Sequence, residues 1–475
     1  MIYKIVEFLM PIVDNMVFIY SLMLVVSYIL MGILAMYALA RYIHSNKSTD
    51  YNTIFHADSL APGISVIASC YNESAVVADS VRSLLNLHYN DYEVIVVNDG
   101  SKDNTLETLC KEFALQKIDY YIDEKLFTKP VRGVYRSSNK AFHNLLVVDK
   151  ENGGKSDAMN VGYNVASKLY TVSIDVDSIL ASDALLKLIK PIVESAEKSV
   201  VSVGGAVHVA NGCLFNRGVL VERRIPKGNN AKLQVVEYLR AFLVGRMAFG
   251  QINGLFLVSG ALGIFRKDLV LTVGGYRTDC IGEDMELTIR LREYLYEHKI
   301  SHKVVYIPEP LLWTEVPPTL KVMERQRTRW TRGLIDSLRL HKNLFFNPRY
   351  GVMGIVTYPY FVFFEWFAPF VEVLGIVYII LLFSLGIIKW EVYLFLLLFM
   401  YMFGICFSFL GIFLGEMTYH VYNRKRDLWS LFLSSLTEIF LYHPRLVFWS
   451  IKGNWMFFRG KKNWGEMTRQ GFGKK

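Results

Sequence analysis

A long apolar run near the start of the chain dominates its hydrophobic pattern. Residues Met16–Ala40 contain no charged side chain over 25 positions. A helix of about 20 apolar residues crosses the ~30 Å hydrocarbon core of a bilayer. The run is too long for a cleavable signal peptide, and no small-residue cleavage site follows it. The pattern therefore predicts a permanent transmembrane anchor.

Two further apolar runs stand close together in the last quarter of the sequence. Val392–Leu414 is uninterrupted, whereas Phe363–Ile388 contains two glutamates and a proline. With Lys389–Glu391 as a short outer turn, the two runs predict a membrane hairpin and a total of three spans. Tyr350–Phe364 and Leu428–Trp449 are apolar but broken by prolines, and we expect them to lie in the membrane interface.

Between about residues 60 and 310, short apolar runs alternate with segments of helical spacing. This alternation is typical of a parallel sheet that is covered on both faces, and ligands of such sheets bind beyond the carboxyl ends of the strands. The predicted strands are Ile64–Ser69, Tyr92–Asn98, Leu145–Asp149 and Tyr170–Asp175, and the predicted helices are Val76–Asn86, Thr105–Phe113 and Ser156–Leu169.

The positive charges lie beside the membrane segments. The formal net charge is +9, and Arg41, His44 and Lys47 follow the first apolar run directly. The positive-inside tendency then places the next segment in the cytoplasm. Basic residues at 423–427 and near the carboxyl terminus fit a cytoplasmic face with anionic lipids, so we expect lipid rather than nucleic acid as the partner. The five scattered cysteines show neither a disulfide framework nor zinc spacing.

Polar residues follow the first two predicted strands. Cys70-Tyr71-Asn72-Glu73 ends the first strand, and Asn98-Asp99-Gly100-Ser101 ends the second. Carboxylates at this edge can accept hydrogen bonds from a nucleobase or a ribose. No glycine-rich dinucleotide fingerprint follows either strand, which argues against a nicotinamide cofactor. The second motif taken alone is also typical of a simple turn.

Two carboxylates end the fourth predicted strand. Asp175 and Asp177 are spaced so that they can share a divalent cation that grips a diphosphate. A motif of two aspartates separated by one residue also arises by chance in a chain of this length. Upstream, Lys155 follows two glycines and opens a predicted helix, which places a lysine and free backbone amides near the same phosphates.

Three later motifs complete the candidate chemistry. The small residues of Ser259–Gly263 would let a sugar lie close to the backbone. Gly282-Glu283-Asp284 opens a helical segment, where Asp284 is either a helix cap or a general base. Gln326-Arg327-Thr328-Arg329-Trp330 combines hydrogen-bonding, basic and aromatic groups beside the membrane. Binding to lipid headgroups would explain the positive charge of this motif but not the fixed spacing of its glutamine, arginine and tryptophan.

In this order, the motifs resemble those of the membrane-embedded family-two glycosyltransferases, which include cellulose, chitin, hyaluronan and poly-N-acetylglucosamine synthases. The resemblance spans about Ile64 to Leu334 and continues into the membrane hairpin. It implies an α/β fold, in which a cytoplasmic GT-A domain with a Rossmann-like mixed sheet is joined to α-helical transmembrane and interfacial helices. We expect an integral protein of the inner (plasma) membrane with a cytoplasmic catalytic domain.

The resemblance also implies roles for the matching residues. The donor, a nucleotide-diphospho-sugar that is usually UDP-linked, would be bound by Tyr71, Glu73, Asp99, Lys155, Asp175, Gln326 and Arg329. Asp177 would hold Mg²⁺ or Mn²⁺. Asp284 would be the catalytic base, with Glu283 beside it. Ser259, Gly260 and Trp330 would bind the acceptor, a glycan or glycolipid.

The implied reaction is a single displacement with inversion that extends a β-linked polysaccharide. We expect five regions: an anchor (1–45), the GT-A domain (46–318), interfacial helices (319–350), a transmembrane hairpin (351–415), and an amphipathic segment with a basic tail (416–475). Rival hypotheses are a non-processive glycolipid synthase, which the few spans favour, and a non-catalytic subunit. A partner subunit or a homo-oligomer stays open.

Three features have no place in this scheme from residues alone. Asn98 stands where the family commonly has an aspartate, and Lys125–His143 is a basic addition. Glu365 and Glu372 are seven residues apart in a predicted membrane helix, where carboxylates usually face a polar path or a partner. Either they line an exit route for the glycan, or they pair with the basic tail.

Overall fold

The computed structural model describes residues 2–47, 51, 61–195, 199–317, 319–387, 389–422 and 424–461. The basic tail after residue 461, Asn423 and Ile388 lie outside the described residues. The strands of the protein are β1 (Ile64–Cys70), β2 (Tyr92–Asn98), β3 (Leu115–Ile118), β4 (Val131–Ser137), β5 (Leu145–Lys150), β6 (Tyr170–Asp175), β7 (Ser178–Leu180), β8 (Ser199–Val209), β9 (Leu214–Asn216), β10 (Val219–Glu222), β11 (Leu262–Arg266) and β12 (His302–Thr314).

The helices of the amino-terminal two thirds are α1 (Ile2–Asn46), α2 (Val77–Leu85), α3 (Thr105–Glu112), α4 (Lys155–Val165), α5 (Ala184–Val193), α6 (Asn229–Leu239), α7 (Met247–Gln251), α8 (Lys267–Thr272) and α9 (Glu283–Glu297). The later helices are α10 (Leu320–Leu340), α11 (Tyr358–Tyr360), α12 (Ala368–Ser384), α13 (Trp390–Tyr419), α14 (Lys425–Leu436), α15 (Glu438–Leu441) and α16 (His443–Phe458). Three π-helical turns, π1 (Arg240–Arg246), π2 (Met353–Thr357) and π3 (Phe361–Trp366), interrupt this series.

A ten-stranded mixed sheet organises the domain that follows α1. Its strand order is β3-β4-β5-β2-β1-β6-β11-β8-β12-β7. The four strands predicted from the sequence are confirmed as β1, β2, β5 and β6, and they form the parallel centre of the sheet. Their side chains are almost entirely buried because helices cover both faces, which explains why each strand appears in the sequence as an unbroken apolar run.

The basic addition at 125–143 belongs to one edge of the sheet. β4 lies within it and pairs antiparallel with β5, and β3 pairs antiparallel with β4. The segment between β3 and β4 is tied to α4, since Asn164 bonds the backbone of Leu126 in both directions, at 2.9 and 2.8 Å. This addition therefore widens the sheet and leaves the central strands unchanged.

Among the described residues, two helices are long and apolar enough to span a membrane, Met10–Asn46 and Leu394–Tyr419. Met353–Trp366 and Ala368–Ser384 would add a third span as a pair, but they are bent by 44° at Phe367. Pro369 near the start of α12 has no backbone N–H to continue the preceding helix. The predicted count of three spans therefore holds only if the bent pair forms one span.

The segment α6-π1-α7 joins the sheet domain to the membrane helices. Arg240 of π1 bonds Glu438 Oε1 at 2.7 Å and Ser408 of α13 at 2.6 Å. A Cβ on Gly411 of α13 would lie 3.1 Å from Arg240 Cα, so the two backbones are in close contact. The segment was predicted to belong to the catalytic domain, and it also packs among the apolar helices.

Two glycines bring helices α9 and α10 together. A Cβ on Gly333 would lie 2.9 Å from Gly282 Cα, and a Cβ on Gly282 would lie 2.6 Å from Gly333 O. Only hydrogen at both positions permits this approach. Asp336 Oδ2 accepts a hydrogen bond from Ile281 N at 3.1 Å, which adds a second link between the helices.

A buried histidine links the same two helices farther along. His341 Nδ1 lies 2.6 Å from Glu293 Oε2, and Nε2 lies 3.4 Å from Glu286 Oε1. Burial alone would lower the pKa of His341, but the two carboxylates outweigh burial and raise the pKa above its ordinary value.

We expect this histidine to make the stability of the protein depend on pH. Because the folded-state pKa is raised, the stabilisation is complete below the ordinary pKa of about 6.5 and is lost as pH rises through the folded value. The unfolding temperature of His341→Gln in detergent should fall less than that of the wild type between pH 6 and pH 9. His298→Gln, at an exposed histidine, is the control. If the unfolding temperatures of His341→Gln and the wild type changed in parallel with pH, the prediction would be wrong.

Candidate active site

A large cleft of about 1560 Å³ opens at the carboxyl ends of β1, β2 and β6. Its walls come from the sheet, from the start of α9, from the middle of α10 and from π1 and π3. The thirteen residues predicted from the sequence as site residues all line it: Tyr71, Glu73, Asp99, Lys155, Asp175, Asp177, Ser259, Gly260, Glu283, Asp284, Gln326, Arg329 and Trp330.

The first two motifs interlock at one end of this cleft. Asn72 N donates to Ser101 Oγ at 2.9 Å, and Asn72 Oδ1 accepts from Lys102 N at 2.8 Å. Asn72 adopts a positive φ of 56°, which asparagine tolerates better than most residues. The chain therefore turns sharply between Tyr71, which is exposed, and Glu73, and both line the cleft.

Asp99 holds the loop before α4. Its Oδ1 accepts from Gly153 N at 2.9 Å, and its Oδ2 accepts from Gly154 N at 2.8 Å and from Asn152 Nδ2 at 3.1 Å. Lys150 Nζ adds a bond to Oδ1 at 2.8 Å. Both oxygens are therefore occupied within the protein. Asp99 fixes the backbone that leads to Lys155, and because Asp99 also lines the cleft, its contact with the nucleotide stays a prediction.

Lys150 was missed by the sequence analysis. Its ammonium is fully buried between Asp99 at 2.8 Å and Asp157 at 2.6 Å. A buried charge of this kind requires paired carboxylates. Lys150 directly follows the predicted strand Leu145–Asp149, but nothing in the sequence shows that both partners come from other elements.

The structure gives a reason for asparagine at position 98. Asn98 Nδ2 donates to Asp149 Oδ1 at 2.8 Å, and Arg132 Nη2 donates to the same oxygen at 2.7 Å. Asn98 is buried. An aspartate there would place two carboxylates in contact in a region of low dielectric constant, which is strongly unfavourable. The amide avoids this repulsion and retains a hydrogen bond.

Lys155 connects three parts of the site. Its ammonium pairs with Asp175, lies 3.8 Å from Glu283 and donates to Gly260 O at 3.2 Å. Burial would lower the pKa of Lys155, but Asp175 and Glu283 outweigh burial and raise it. Lys155 is therefore a permanent cation between the end of β6 and the start of α9.

The two acidic residues that open α9 differ in environment. Burial, followed by the charge of Asp284, raises the pKa of Glu283 to about 7. Asp284 Oδ1 accepts a hydrogen bond from Met285 N at 2.8 Å. A Cβ on Gly260 would lie 3.1 Å from Asp284 Cγ and closer still to Oδ2. The predicted small-residue segment thus leaves the space that Asp284 occupies.

The basic cluster on α10 divides into two groups. Arg327 is buried and pairs with Glu237 of α6, through bonds of 2.5 and 2.7 Å, while its guanidinium lies 4.3 Å from the ring of Trp330. Gln326 and Arg329 face the cleft, and Gln326 Oε1 is buried without a hydrogen-bond partner among the described residues. Trp330 is 42% exposed. All four side chains line the cleft, but the ion pair with Glu237 holds Arg327, which thereby positions the helix.

The two glutamates of the bent helix pair have different surroundings. Glu365 of π3 lines the cleft, together with Phe361 and Trp366. Glu372 Oε2 lies 2.7 Å from His443 Nε2 on α16, and Glu372 does not line the cleft. Only Glu365 lines the cleft, and the helix pair bends by 44° between the two glutamates, so the hypothesis that both line an exit route for the glycan stays a prediction.

Residues that could hold a cation lie at the end of β6. Asp175 and Asp177 both line the cleft, and Ser178 Oγ donates to Asp177 Oδ1 at 3.2 Å. Within the described part of the chain, no group of three or more His, Cys, Asp or Glu side chains is arranged to bind a metal. A cation there would need ligands from a bound substrate, which is the usual arrangement for Mg²⁺ at phosphates.

Curated relatives match part of this chain. A poly-beta-1,6-N-acetyl-D-glucosamine synthase of Staphylococcus epidermidis is 29% identical over 274 residues, which cover 57% of this chain and 54% of the relative. The Staphylococcus aureus (strain COL) protein of the same name is 29% identical over 291 residues, which cover 61% of this chain and 57% of the relative. The chain thus matches little more than half the length of these curated relatives.

The fold has a counterpart among solved structures. A mannosyltransferase from Pyrobaculum calidifontis, in complex with GDP-Man and Mn²⁺, aligns with a TM-score of 0.50 at 14% identity. The alignment covers 86% of this chain and 99% of that chain, and it confirms the predicted GT-A type of mixed α/β sheet. The profile of the family described as "Glycosyltransferase like family 2" matches residues 62–333. This chain belongs to the family-2 glycosyltransferases.

Proposed function

We propose that the protein extends a β-linked polysaccharide at a membrane, transferring a sugar from a UDP-linked donor with inversion. The observation that carries this proposal is the continuity of one cleft. It joins the end of β6, where a donor diphosphate would bind, to Trp330 and to Glu365 beside the apolar helices. An acceptor bound next to Asp284 would therefore extend toward the membrane.

The proposed mechanism assigns the proton transfer to Asp284. Asp284 deprotonates the acceptor hydroxyl, which attacks the anomeric carbon from the face opposite the diphosphate, so an α-linked donor gives a β-linked product. Glu283 lies beside Asp284 at the start of α9, and burial raises the pKa of Glu283 to about 7. Lys155, Arg329 and Gln326 bind the leaving nucleoside diphosphate through charge and hydrogen bonds.

A divalent cation would complete the donor site. Asp177 would hold it, with Asp175 nearby, and the donor diphosphate would supply further oxygen ligands. When bound, Mg²⁺ or Mn²⁺ would supply positive charge that stabilises the leaving diphosphate. Tyr71 and Glu73 lie at the other end of the cleft and would contact the nucleoside, while Ser259 and Gly260 would face the acceptor sugar.

The proposal also includes the orientation of the protein in the membrane and the identity of the donor sugar. We expect the sheet domain to lie in the cytoplasm and the helices in the inner (plasma) membrane, because basic residues follow the first apolar helix. The named relatives make a poly-N-acetylglucosamine, so UDP-N-acetylglucosamine is the first donor to screen, followed by other nucleotide sugars. The length of the labelled product on a gel separates a polymer from the one or two added sugars of a glycolipid synthase.

Replacing the proposed base should abolish transfer and spare donor binding. We expect Asp284→Asn to lower kcat by about 10²–10⁴-fold. Donor affinity should change little, because the amide keeps the shape of the carboxylate. Release of UDP measures turnover, and titration with UDP measures binding. Asp268→Asn, at an exposed aspartate paired with Arg266, is the matched control. Normal turnover by Asp284→Asn would refute the assignment.

A methyl group at Gly260 should displace Asp284. We expect Gly260→Ala to reduce transfer by about 10²-fold, since small misplacements of a catalytic group have effects of this size. Gly228→Ala is the control, because a Cβ there meets nothing within 4 Å. Equal activity of both variants would show that Asp284 does not act from its position in the structure.

Removal of divalent cations should stop the reaction. We expect EDTA to abolish transfer and Mg²⁺ or Mn²⁺ to restore it. Asp177→Asn should raise the cation concentration needed for half-maximal rate by about tenfold or more, because it removes a charged ligand. Full transfer in EDTA would exclude the cation from the mechanism.

A further inference from the structure

The cleft continues beyond the proposed catalytic carboxylates toward the apolar helices. Phe242 and Arg246 of π1 and Phe361, Glu365 and Trp366 of π3 line this end of it. Both segments are π-helical turns, which are rare and occur frequently at functional sites. No role assigned above uses Arg246.

Arg246 differs from the other arginine of the same π turn. Arg240 is satisfied by Glu438 and Ser408. Arg246 lies with its guanidinium 4.2 Å from the ring centre of Phe242, and no hydrogen bond or ion pair joins it to another described residue. Arg246 lines the same cleft as the carboxylates Asp284 and Glu365. A guanidinium has five N–H donors, so one that lines a cleft without hydrogen-bond partners is suited to a ligand.

The size of the cleft provides room for that ligand. Pockets for single small molecules measure about 300–1,000 Å³. A cleft of about 1560 Å³ exceeds this range, so an acceptor can lie beside a donor. Arg246 and Glu365 have opposite charges and together favour an uncharged ligand that both accepts and donates hydrogen bonds. The nearby aromatic rings of Phe361 and Trp366 provide apolar surface for the face of a sugar ring.

We infer that π1 and π3 form a subsite for the acceptor glycan, in which Arg246 and Glu365 bind the oxygen substituents of a sugar ring next to the one being extended. This inference rests on the proposed transferase function. Arg246 donates hydrogen bonds to the ring substituents, and Glu365 accepts one from a hydroxyl group. The subsite therefore acts on acceptor binding and leaves donor binding unchanged.

The test separates acceptor binding from donor chemistry in the full-length protein, reconstituted in lipid. UDP-N-acetylglucosamine serves as donor and a β-1,6-linked N-acetylglucosamine oligosaccharide as acceptor. Arg246→Met should raise the KM for the acceptor by about tenfold or more, since the hydrogen bonds that are lost involve a charged group. The KM for the donor should stay within about twofold of the wild-type value. The same holds for the slow rate of donor hydrolysis, which releases UDP when no acceptor is present.

Matched variants distinguish this role from a structural one. Arg246→Lys should recover part of the acceptor affinity, and Arg136→Met, at an exposed arginine on β4, should behave as the wild type. Glu365→Gln should raise the KM for the acceptor, whereas Glu372→Gln, at a residue outside the cleft, should leave it unchanged. If Arg246→Met leaves the KM for the acceptor unchanged, the proposed subsite is wrong. The proposal is also wrong if the KM values for acceptor and donor rise equally and the unfolding temperature falls, because that result indicates a structural role. If the wild type releases no UDP from any nucleotide sugar, the proposed function fails and the subsite fails with it.

Discussion

The contact between Gly282 and Gly333 is the constraint on which the candidate site depends. The backbones of α9 and α10 touch where each lacks a side chain, with a virtual Cβ of Gly282 only 2.6 Å from Gly333 O. Glu283 and Asp284 follow directly on one side, and Arg329 and Trp330 lie about one turn away on the other. Any larger side chain would separate the proposed base from α10. Asp336 and His341 reinforce the contact with polar links along the same pair of helices.

Buried charges organise the opposite wall of the cleft. Lys150 is enclosed by Asp99 and Asp157, and this arrangement fixes the loop that leads into α4. Such ion pairs are a weak source of net stability, because both partners lose their hydration. Their geometry is nonetheless specific, since removal of one partner leaves an uncompensated charge. The loop thus presents Lys155 toward Asp175 in a fixed position.

The sheet domain and the apolar helices form one packed unit around the cleft. Arg240 connects π1 to α13 and α15, and Arg327 connects α10 to α6 and, through Tyr442, to the segment before α16. These links cross between parts of the chain that are far apart in sequence. A cleft with walls from both parts suits a reaction in which a soluble donor meets an acceptor held at a membrane.

Local patterns determined much of this protein from its sequence. Burial on both faces makes β1, β2, β5 and β6 appear as apolar runs, so these strands were predicted correctly. The length of an apolar run likewise indicated two helices that are long and apolar enough to span a membrane, whereas the third predicted span is a bent helix pair. The polar residues after the strands were also identified, because the carboxyl ends of parallel strands share one edge.

The tertiary structure alone decided which groups meet. The partners of Lys150, the occupied oxygens of Asp99, the separation of Glu365 from Glu372 and the position of Arg246 all depend on contacts between distant segments. Hydrophobic periodicity reports only whether a residue faces the core or the solvent. The electrostatic and steric fit of one side chain to another appears only when the chain has folded.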